Sequence, residues 1–146
     1  AVENIAAKRK DIYFLFMGTE EFGGSWLRAR NKRIRFLPES TDMYQKVAFI
    51  NTCDAMLHAR KQGESFGLAV GEFSSKNKPI ITFSGSKEKA HIFELGEKGI
   101  YYSNQTELEK ILLNFVKSNN SNWDVYSSKF SAETVMYKFR DVFLSY

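Results

Sequence analysis

The sequence predicts a Rossmann-like α/β fold, in which a parallel sheet is flanked by helices. Short runs rich in β-branched and aromatic residues alternate along the chain with longer amphipathic stretches, which is the pattern of repeated β-α units. The chain has 146 residues, of which 43% are hydrophobic and only two are proline, and this is the size and composition of one globular domain. We therefore expect residues 1–146 to form a single domain.

Five short segments have the composition of strands, and each is followed by a stretch with helical periodicity. The predicted strands are residues 11–17, 34–36, 55–58, 79–83 and 99–102. The predicted helices are residues 20–31, 42–53, 67–77, 88–95, 105–117 and 132–144. Residues 118–122 are polar and are expected to form a loop. Residues 4–10 resemble the tail of a helix leading into the first strand, so we expect the chain to begin in the middle of the fold.

The last two predicted helices each carry an apolar stripe. In the helix over 105–117, Thr106 is expected to cap the start, and the stripe consists of Leu108, Ile111, Leu112 and Phe115. In the last helix the stripe consists of Val135, Met136, Phe139, Val142 and Phe143. Both stripes are predicted to lie in the core.

The charge of the chain suits an anionic partner. The net charge is +4 and the pI is about 9.1, which fits a nucleotide diphosphate, a nucleic acid or a membrane surface. The densest basic run is Arg28, Arg30, Lys32, Arg33 and Arg35. Few aromatic residues interleave with these cations, so we expect a helix end that complements the helix dipole, and no nucleic-acid partner.

Several classes of protein are not expected. No stretch approaches the roughly 20 apolar residues of a membrane span, and the N-terminus lacks the pattern of a signal peptide. We therefore expect a cytoplasmic protein without a transmembrane segment. Cys53 is the only cysteine and there are two histidines, so neither a disulfide framework nor a zinc site is expected.

The segment 56–73 is the strongest candidate for a binding site. It runs from a strand, through a polar turn, into a helix predicted to start near Phe66 or Gly67. The amides of Gly67, Leu68 and Ala69 would then lack intrahelical partners, and the helix dipole would favour a phosphate in front of them. Gly67 would let the ligand approach the backbone, so we expect Gly67→Val to abolish nucleotide binding at little cost in fold stability.

Glu72 is a candidate ligand for a ribose. The predicted buried stripe of this helix is Phe66, Ala69, Val70 and Phe73, which leaves Glu72 at its flank. A carboxylate there can accept two hydrogen bonds from a ribose diol. Periodicity alone favours an ordinary exposed glutamate, because helices usually carry them.

The segment 56–73 also resembles part of a known protein family, and this resemblance implies a function for it. Glu64 and Glu72, separated by seven residues, resemble the E-x7-E signature of retaining glycosyltransferases with the GT-B architecture, the glycosyl transferases group 1 family. Residues 34–38 look like the family's strand and turn before the nucleobase pocket, 44–54 like its helix ending in Asp, and 77–81 like its G-x-P-V-I strand. The resemblance extends over residues 11–102 and implies the C-terminal, nucleotide-sugar-binding half.

The resemblance also implies roles for individual residues. Glu64 would lie beside the transferred sugar as the catalytic residue, and Glu72 would bind the ribose hydroxyls. The donor diphosphate would be held at Ser65, Phe66, Gly67 and Leu68, largely through backbone amides. Leu37 and Pro38 would border the base. No metal and no cofactor are implied beyond the nucleotide diphosphate sugar as donor substrate.

Important parts of the family's site have no counterpart in this sequence. The Arg and Lys that clamp the diphosphate come from a unit that would precede residue 1, and the acceptor site comes from an N-terminal domain. We therefore expect the missing N-terminal acceptor domain to be the partner of this chain. The chain alone is expected to be inactive.

Some neighbouring residues have two interpretations. Arg60 either contacts a phosphate or lies in solvent, and His58 is either a hydrogen-bonded structural histidine or a contact to the donor sugar. Residues 84–86 either line the sugar pocket or simply form a turn, and His91 is expected to be structural.

The sequence favours sugar transfer with retention from a nucleotide diphosphate donor, with the leaving diphosphate stabilised by amides and cations rather than by a metal. A fragment of a GT-B-type nucleotide-sugar epimerase is one alternative. A non-catalytic nucleotide-binding or regulatory module is another, and nucleic-acid binding through the basic run is a third.

Overall fold

The computed structural model describes residues 1–22, 32–117 and 121–144. By its internal contacts the chain divides into two compact units, the first made of Ala1–Cys53 and Ser103–Lys117 and the second of Asp54–Tyr102 and Ser118–Tyr146. Most of the predicted helix 20–31, including Arg28 and Arg30, and part of the predicted loop 118–122 lie outside the described residues.

Helices and strands alternate along most of the described chain. In order they are α1 (Val2–Lys8), β1 (Phe14–Met17), β2 (Ile34–Leu37), α2 (Met43–Thr52), β3 (Met56–His58), β4 (Gly63–Glu64), α3 (Leu68–Ser75), β5 (Ile80–Phe83), β6 (Glu88–Lys89), α4 (Ala90–Leu95), β7 (Ile100–Tyr102), α5 (Gln105–Asn114), α6 (Tyr126–Phe130) and α7 (Ala132–Phe143). A 3-10 turn, Gly96–Lys98, separates α4 from β7. Each of the five predicted strands is confirmed, with an observed strand inside or at the edge of its predicted range.

All strand pairs in the described residues are parallel. In the first unit β1 pairs with β2, and in the second unit β5 lies between β3 and β7. The two-residue strands β4 and β6 also pair, and the sequence did not predict them. Parallel strands joined through helices confirm the predicted α/β class.

The core of the first unit lies between helices α1 and α5 and strand β2. Ile5 and Ala6 of α1, Ile34 of β2, and Leu108 and Leu112 of α5 are buried. The guanidinium of Arg9, just after α1, donates to the carbonyls of Leu113 at 2.8 Å and Phe115 at 3.1 Å. Helix α1 is thus joined to the end of α5 by charge-assisted bonds as well as by packing.

Two helices of the first unit are capped by acidic or amide side chains. Asp42 accepts from the amide of Tyr44 at 2.7 Å at the start of α2. The expectation that Thr106 caps α5 is wrong, since Asn104 is the N-cap and accepts from the amide of Glu107 at 2.9 Å. An N-cap needs extended backbone, which Asn104 has, whereas Thr106 is already inside the helix.

In the second unit α3 packs on strands β3 and β5, α4 contacts β4, and α6 packs on α3. Its buried apolar residues include Val70, Phe73, Ile80, Ile81, Leu95, Tyr102 and Tyr126. Strand β5 is the middle strand, and its first three residues are buried, which accounts for its apolar sequence.

The apolar stripe of the last helix is not in the core as predicted. Helix α7 forms over nearly the predicted range, but the side chains of its stripe are between 46% and 70% exposed. Periodicity specifies that a helix has an apolar face, whereas burial requires a surface opposite that face. Within the described chain no surface covers this face well enough to bury it.

No helix among the described residues is both long and apolar enough to cross a membrane.

Candidate functional site

The predicted site lies at the carboxyl end of β3, in the second unit. Strand β3 ends at His58, a loop over 59–62 leads into β4, and α3 begins at Leu68. The helix starts within one residue of the predicted Gly67. The amides of its first turn have no acceptor inside the helix, which gives the turn a surplus of N–H donors.

Gly67 is the N-cap of α3 and has a left-handed backbone, with φ of 86°. A β-carbon on Gly67 would lie 3.1 Å from the β-carbon of His91, which is tighter than an ordinary contact. A β-branched side chain strongly disfavours this backbone region. The expectation that Gly67→Val would cost little fold stability is therefore wrong.

The buried face of α3 differs from the predicted stripe. Val70 and Phe73 are buried as predicted, together with Ser74, but Phe66 and Ala69 are exposed. The physical reason is that the helix begins at Leu68, so Phe66 precedes it, and that Val70, Phe73 and Ser74 define a face to which Ala69 does not belong.

Phe66 has a different set of partners. Its ring lies edge-on to the rings of Tyr126 and Phe130, with centroids 5.8 Å and 4.8 Å away. The hydroxyl of Tyr126 donates to the Phe66 carbonyl at 3.1 Å. Helix α6 therefore holds the backbone of the turn immediately before α3.

Glu64 is the centre of a group of polar side chains. Its Oε1 accepts from Nη1 of Arg60 at 2.9 Å and lies 3.3 Å from Nε2 of His58. Its side chain is 22% exposed. Burial by itself would raise the pKa of Glu64, but the hydrogen bonds from Arg60 and His58 outweigh it and lower the pKa below its ordinary value. Glu64 is therefore an ionised carboxylate at neutral pH.

His58 lies next to Glu64, and His91 lies farther into the interior of the unit than His58. His58 is 6% exposed, and its Nδ1 lies 3.0 Å from Oγ1 of Thr82. The same oxygen lies 3.2 Å from Nε2 of His91, which is fully buried. Burial, and then the proximity of His58, lower the pKa of His91, so His91 is neutral near pH 7.

The loop that carries Arg60 is fastened to the loop after β5. The hydroxyl of Ser86 lies 3.1 Å from the Arg60 carbonyl and 2.9 Å from the Phe83 carbonyl, and the side chain of Ser86 is buried. The hydroxyl of Ser84 donates to the Tyr102 carbonyl at 3.0 Å. Both serines therefore use their hydroxyls to hold the loops together. This agrees with the interpretation that residues 84–86 form a turn.

The arrangement gathers only part of the predicted set. Glu64, Arg60 and His58 contact one another, and Ser65, Phe66, Gly67 and Leu68 follow Glu64 along the chain. Glu72 lies on the second turn of α3 and is partly buried. Leu37 and Pro38 are exposed residues of the first unit, at the end of β2 and just after it.

Sequence reasoning missed two residues of this region, Thr82 and Tyr126. Thr82 is the one residue with a hydroxyl group in the otherwise apolar strand β5, and this exception in the sequence could have identified it as a candidate. No periodicity marks Tyr126, which follows an irregular segment. Among the described residues, no three side chains of His, Cys, Asp or Glu form a group that could hold a metal ion.

The parallel strands, their crossover helices and a glycine-led helix at the end of β3 define a Rossmann-like α/β fold, of the kind that forms one half of a GT-B architecture. No family model matches the sequence, and no curated protein matches it. Two crystal structures of HepE from Anabaena share the fold, one in complex with UDP and glucose and the other with UDP.

The likeness to HepE covers nearly all of this chain. The TM-scores are 0.72 and 0.71, with sequence identities of 20% and 18%. Each comparison covers 99% of this chain and 44% of the HepE chain, so this chain spans less than half the length of HepE. At this level of identity the likeness confirms the predicted fold.

Proposed function

We propose that this chain binds a nucleotide diphosphate sugar and forms the donor-binding half of a retaining, metal-independent glycosyltransferase. The observation that carries the proposal is the ionised Glu64 held beside the glycine-led start of α3, at the carboxyl end of a parallel strand. The HepE structures support it, because a protein of the same fold was crystallised with UDP and with UDP and glucose.

The diphosphate binds at the start of α3. The amides of Phe66, Gly67 and Leu68, with Ser65 next to them, offer N–H donors in front of a positive helix end. The left-handed backbone of Gly67 brings the chain into this turn, and the Tyr126 hydroxyl fixes the carbonyl just before it. Donors fixed in advance stabilise the diphosphate as a leaving group without reorganisation.

Glu64 acts beside the donor sugar. Arg60 and His58 both bind Oε1, which leaves Oε2 for a ligand hydroxyl. An ionised carboxylate next to the anomeric carbon also favours the positive charge that develops as the diphosphate departs. Arg60 is 61% exposed, so its guanidinium can reach a phosphate while it stays close to Glu64.

Glu72 binds the ribose hydroxyls. The acceptor site and further cations for the diphosphate belong to another domain. The isolated chain therefore binds the donor and does not turn it over.

Calorimetric titration of the purified chain tests the proposal. We expect UDP to bind more tightly than uridine, UDP-glucose to bind at least as tightly as UDP, and EDTA to change neither affinity. Glu64→Gln should weaken UDP-glucose binding and leave UDP binding unchanged.

Glu94→Gln is the matched control, because Glu94 is a carboxylate of the same unit that pairs with Lys129 on the surface. It should change neither affinity. Absence of UDP binding, or equal effects of the two variants, would overturn the proposal. Release of UDP from UDP-glucose by the isolated chain would contradict its expected inactivity, and formation of an epimerised sugar would identify the epimerase alternative.

A further inference from the structure

Four side chains from four elements form one hydrogen-bonded line that ends at Glu64. His91 of α4 contacts Thr82 of β5 at 3.2 Å, Thr82 contacts His58 of β3 at 3.0 Å, and His58 contacts Glu64 at 3.3 Å. His91 and Thr82 are fully buried, and His58 is almost so. The proposed function uses Glu64 and His58 and gives no role to Thr82 or His91.

The chemistry of the four groups is consistent with a single direction for all of the bonds. An ionised carboxylate only accepts hydrogen bonds, so Nε2 of His58 carries a hydrogen. In a neutral His58, Nδ1 is then an acceptor, and the hydroxyl of Thr82 donates to it. The oxygen of Thr82 in turn accepts from Nε2–H of His91, so every bond donates towards Glu64.

The buried end of the line agrees with this direction. Nδ1 of His91 is buried and has no hydrogen-bond partner among the described residues. In the direction just derived this nitrogen is a bare lone pair.

We propose that Thr82 and His91 are positioning residues for Glu64, with the Thr82 hydroxyl selecting the tautomer of His58 that donates to the carboxylate. His58 then donates from Nε2–H to Oε1, which leaves Oε2 of the carboxylate oriented towards a ligand. Bonds that all run one way polarise one another, which strengthens the last bond of the line. The consequence for ligand binding rests on the proposed function, because it takes Glu64 to face the donor sugar.

Imidazole nitrogen NMR on the unmodified chain tests the direction without any ligand. We expect both His58 and His91 to carry hydrogen on Nε2 and a bare lone pair on Nδ1 near neutral pH. A protonated Nδ1 on either histidine would overturn the inference, whatever the chain binds.

A pair of variants at Thr82 tests the positioning role. Thr82→Val keeps the shape and removes the hydroxyl, whereas Thr82→Ser keeps the hydroxyl. The measured quantity is the ratio of the dissociation constant for UDP to that for UDP-glucose. We expect Thr82→Val to lower this ratio about three- to tenfold, towards the value of Glu64→Gln, with UDP affinity itself unchanged.

The serine variant should restore the ratio to within about twofold of the wild type, which a purely structural role of the methyl group would not explain. A ratio that Thr82→Val leaves unchanged would overturn the positioning role. If wild-type chain binds neither UDP nor UDP-glucose, the proposed function fails, and the nitrogen spectra still decide whether the line of bonds exists.

Discussion

A β-carbon on Gly63 would lie 1.9 Å from the carbonyl oxygen of Glu88, its partner in the ladder between β4 and β6. Gly63 also has a φ of 78°. The residue directly before Glu64 therefore has to be glycine for two separate reasons, its backbone conformation and the close approach of a second strand.

The closeness of Gly63 and Glu88 gives a prediction with an internal control. Gly63→Ala should cost at least about 2 kcal/mol more than Gly96→Ala, because both positions have positive φ but only Gly63 faces a backbone atom. Gly96 has open space within 4 Å, so its substitution pays the conformational cost alone. Urea denaturation of the two variants measures the difference, and equal losses would contradict the structure.

Glu72 as a ribose ligand predicts a preference for ribonucleotides. A charge-assisted hydrogen bond is worth about 1.5 to 3 kcal/mol, so the wild type should bind UDP roughly ten- to a hundredfold more tightly than 2′-deoxy-UDP. Glu72→Gln should reduce this gap and Glu72→Ala should nearly remove it. Titration of the three proteins with the two ligands isolates the contact, and a ratio that stays constant would return Glu72 to an ordinary surface role.

The pair formed by Arg9 and Asp11 predicts that the fold loses stability at acidic pH. The hydrogen bond from Arg9 lowers the pKa of Asp11 to about 2 from an ordinary value of 3.8. Because the folded-state pKa is the lower one, the stabilisation is present above about pH 4 and is lost as the pH falls towards about 2. Asp11→Asn should lower the urea midpoint at pH 6 and have a much smaller effect at pH 2. A loss of equal size at both pH values would exclude this linkage.

Tyr126 predicts a second loss of stability, at alkaline pH. Burial, with smaller effects of the charges on Glu94 and Glu64, raises the pKa of Tyr126 to about 12. The unfolded chain releases this proton near pH 10 and the folded chain does not, so stability should fall as the pH rises from about 10 to 12. Tyr126→Phe should make the fall shallower. It should also cost about 1 kcal/mol at pH 7 by leaving the Phe66 carbonyl without its donor.

Tyr13→Phe is the matched control for Tyr126→Phe, because Tyr13 is an exposed tyrosine of the first unit. It should change neither the alkaline loss of stability nor the stability at pH 7. If stability falls equally steeply with pH in both variants, Tyr126 does not contribute to the alkaline loss.

The local pattern of the sequence predicted most of the architecture. Strand β5 is apolar because it lies between two others, and the turn from β3 to α3 was found from its glycine and its polar residues. These features depend on composition within a few residues, and such short-range preferences are legible without a fold. The two-residue ladder between β4 and β6 was missed because pairs so short have no period to detect.

The candidate site was legible in part for the same reason. Glu64, Gly67 and Glu72 lie within nine residues of one another, so their spacing could be recognised in the sequence. Thr82 and His91 come to Glu64 from other elements, and no spacing along the chain announces a contact made through the sheet and a following helix.

The sequence by itself determined most of the helices and the five longer strands, that these strands run parallel, and where the carboxylates and the glycine-led turn lie. Tertiary structure alone decided which apolar stripes are buried. Leu108 of α5 meets a packed neighbour, whereas the equally regular stripe of α7 lies exposed. It also decided that Glu64 is ionised and held by His58 and Arg60. Burial and charge depend on what faces a side chain across space, and the order of residues along the chain does not contain that information.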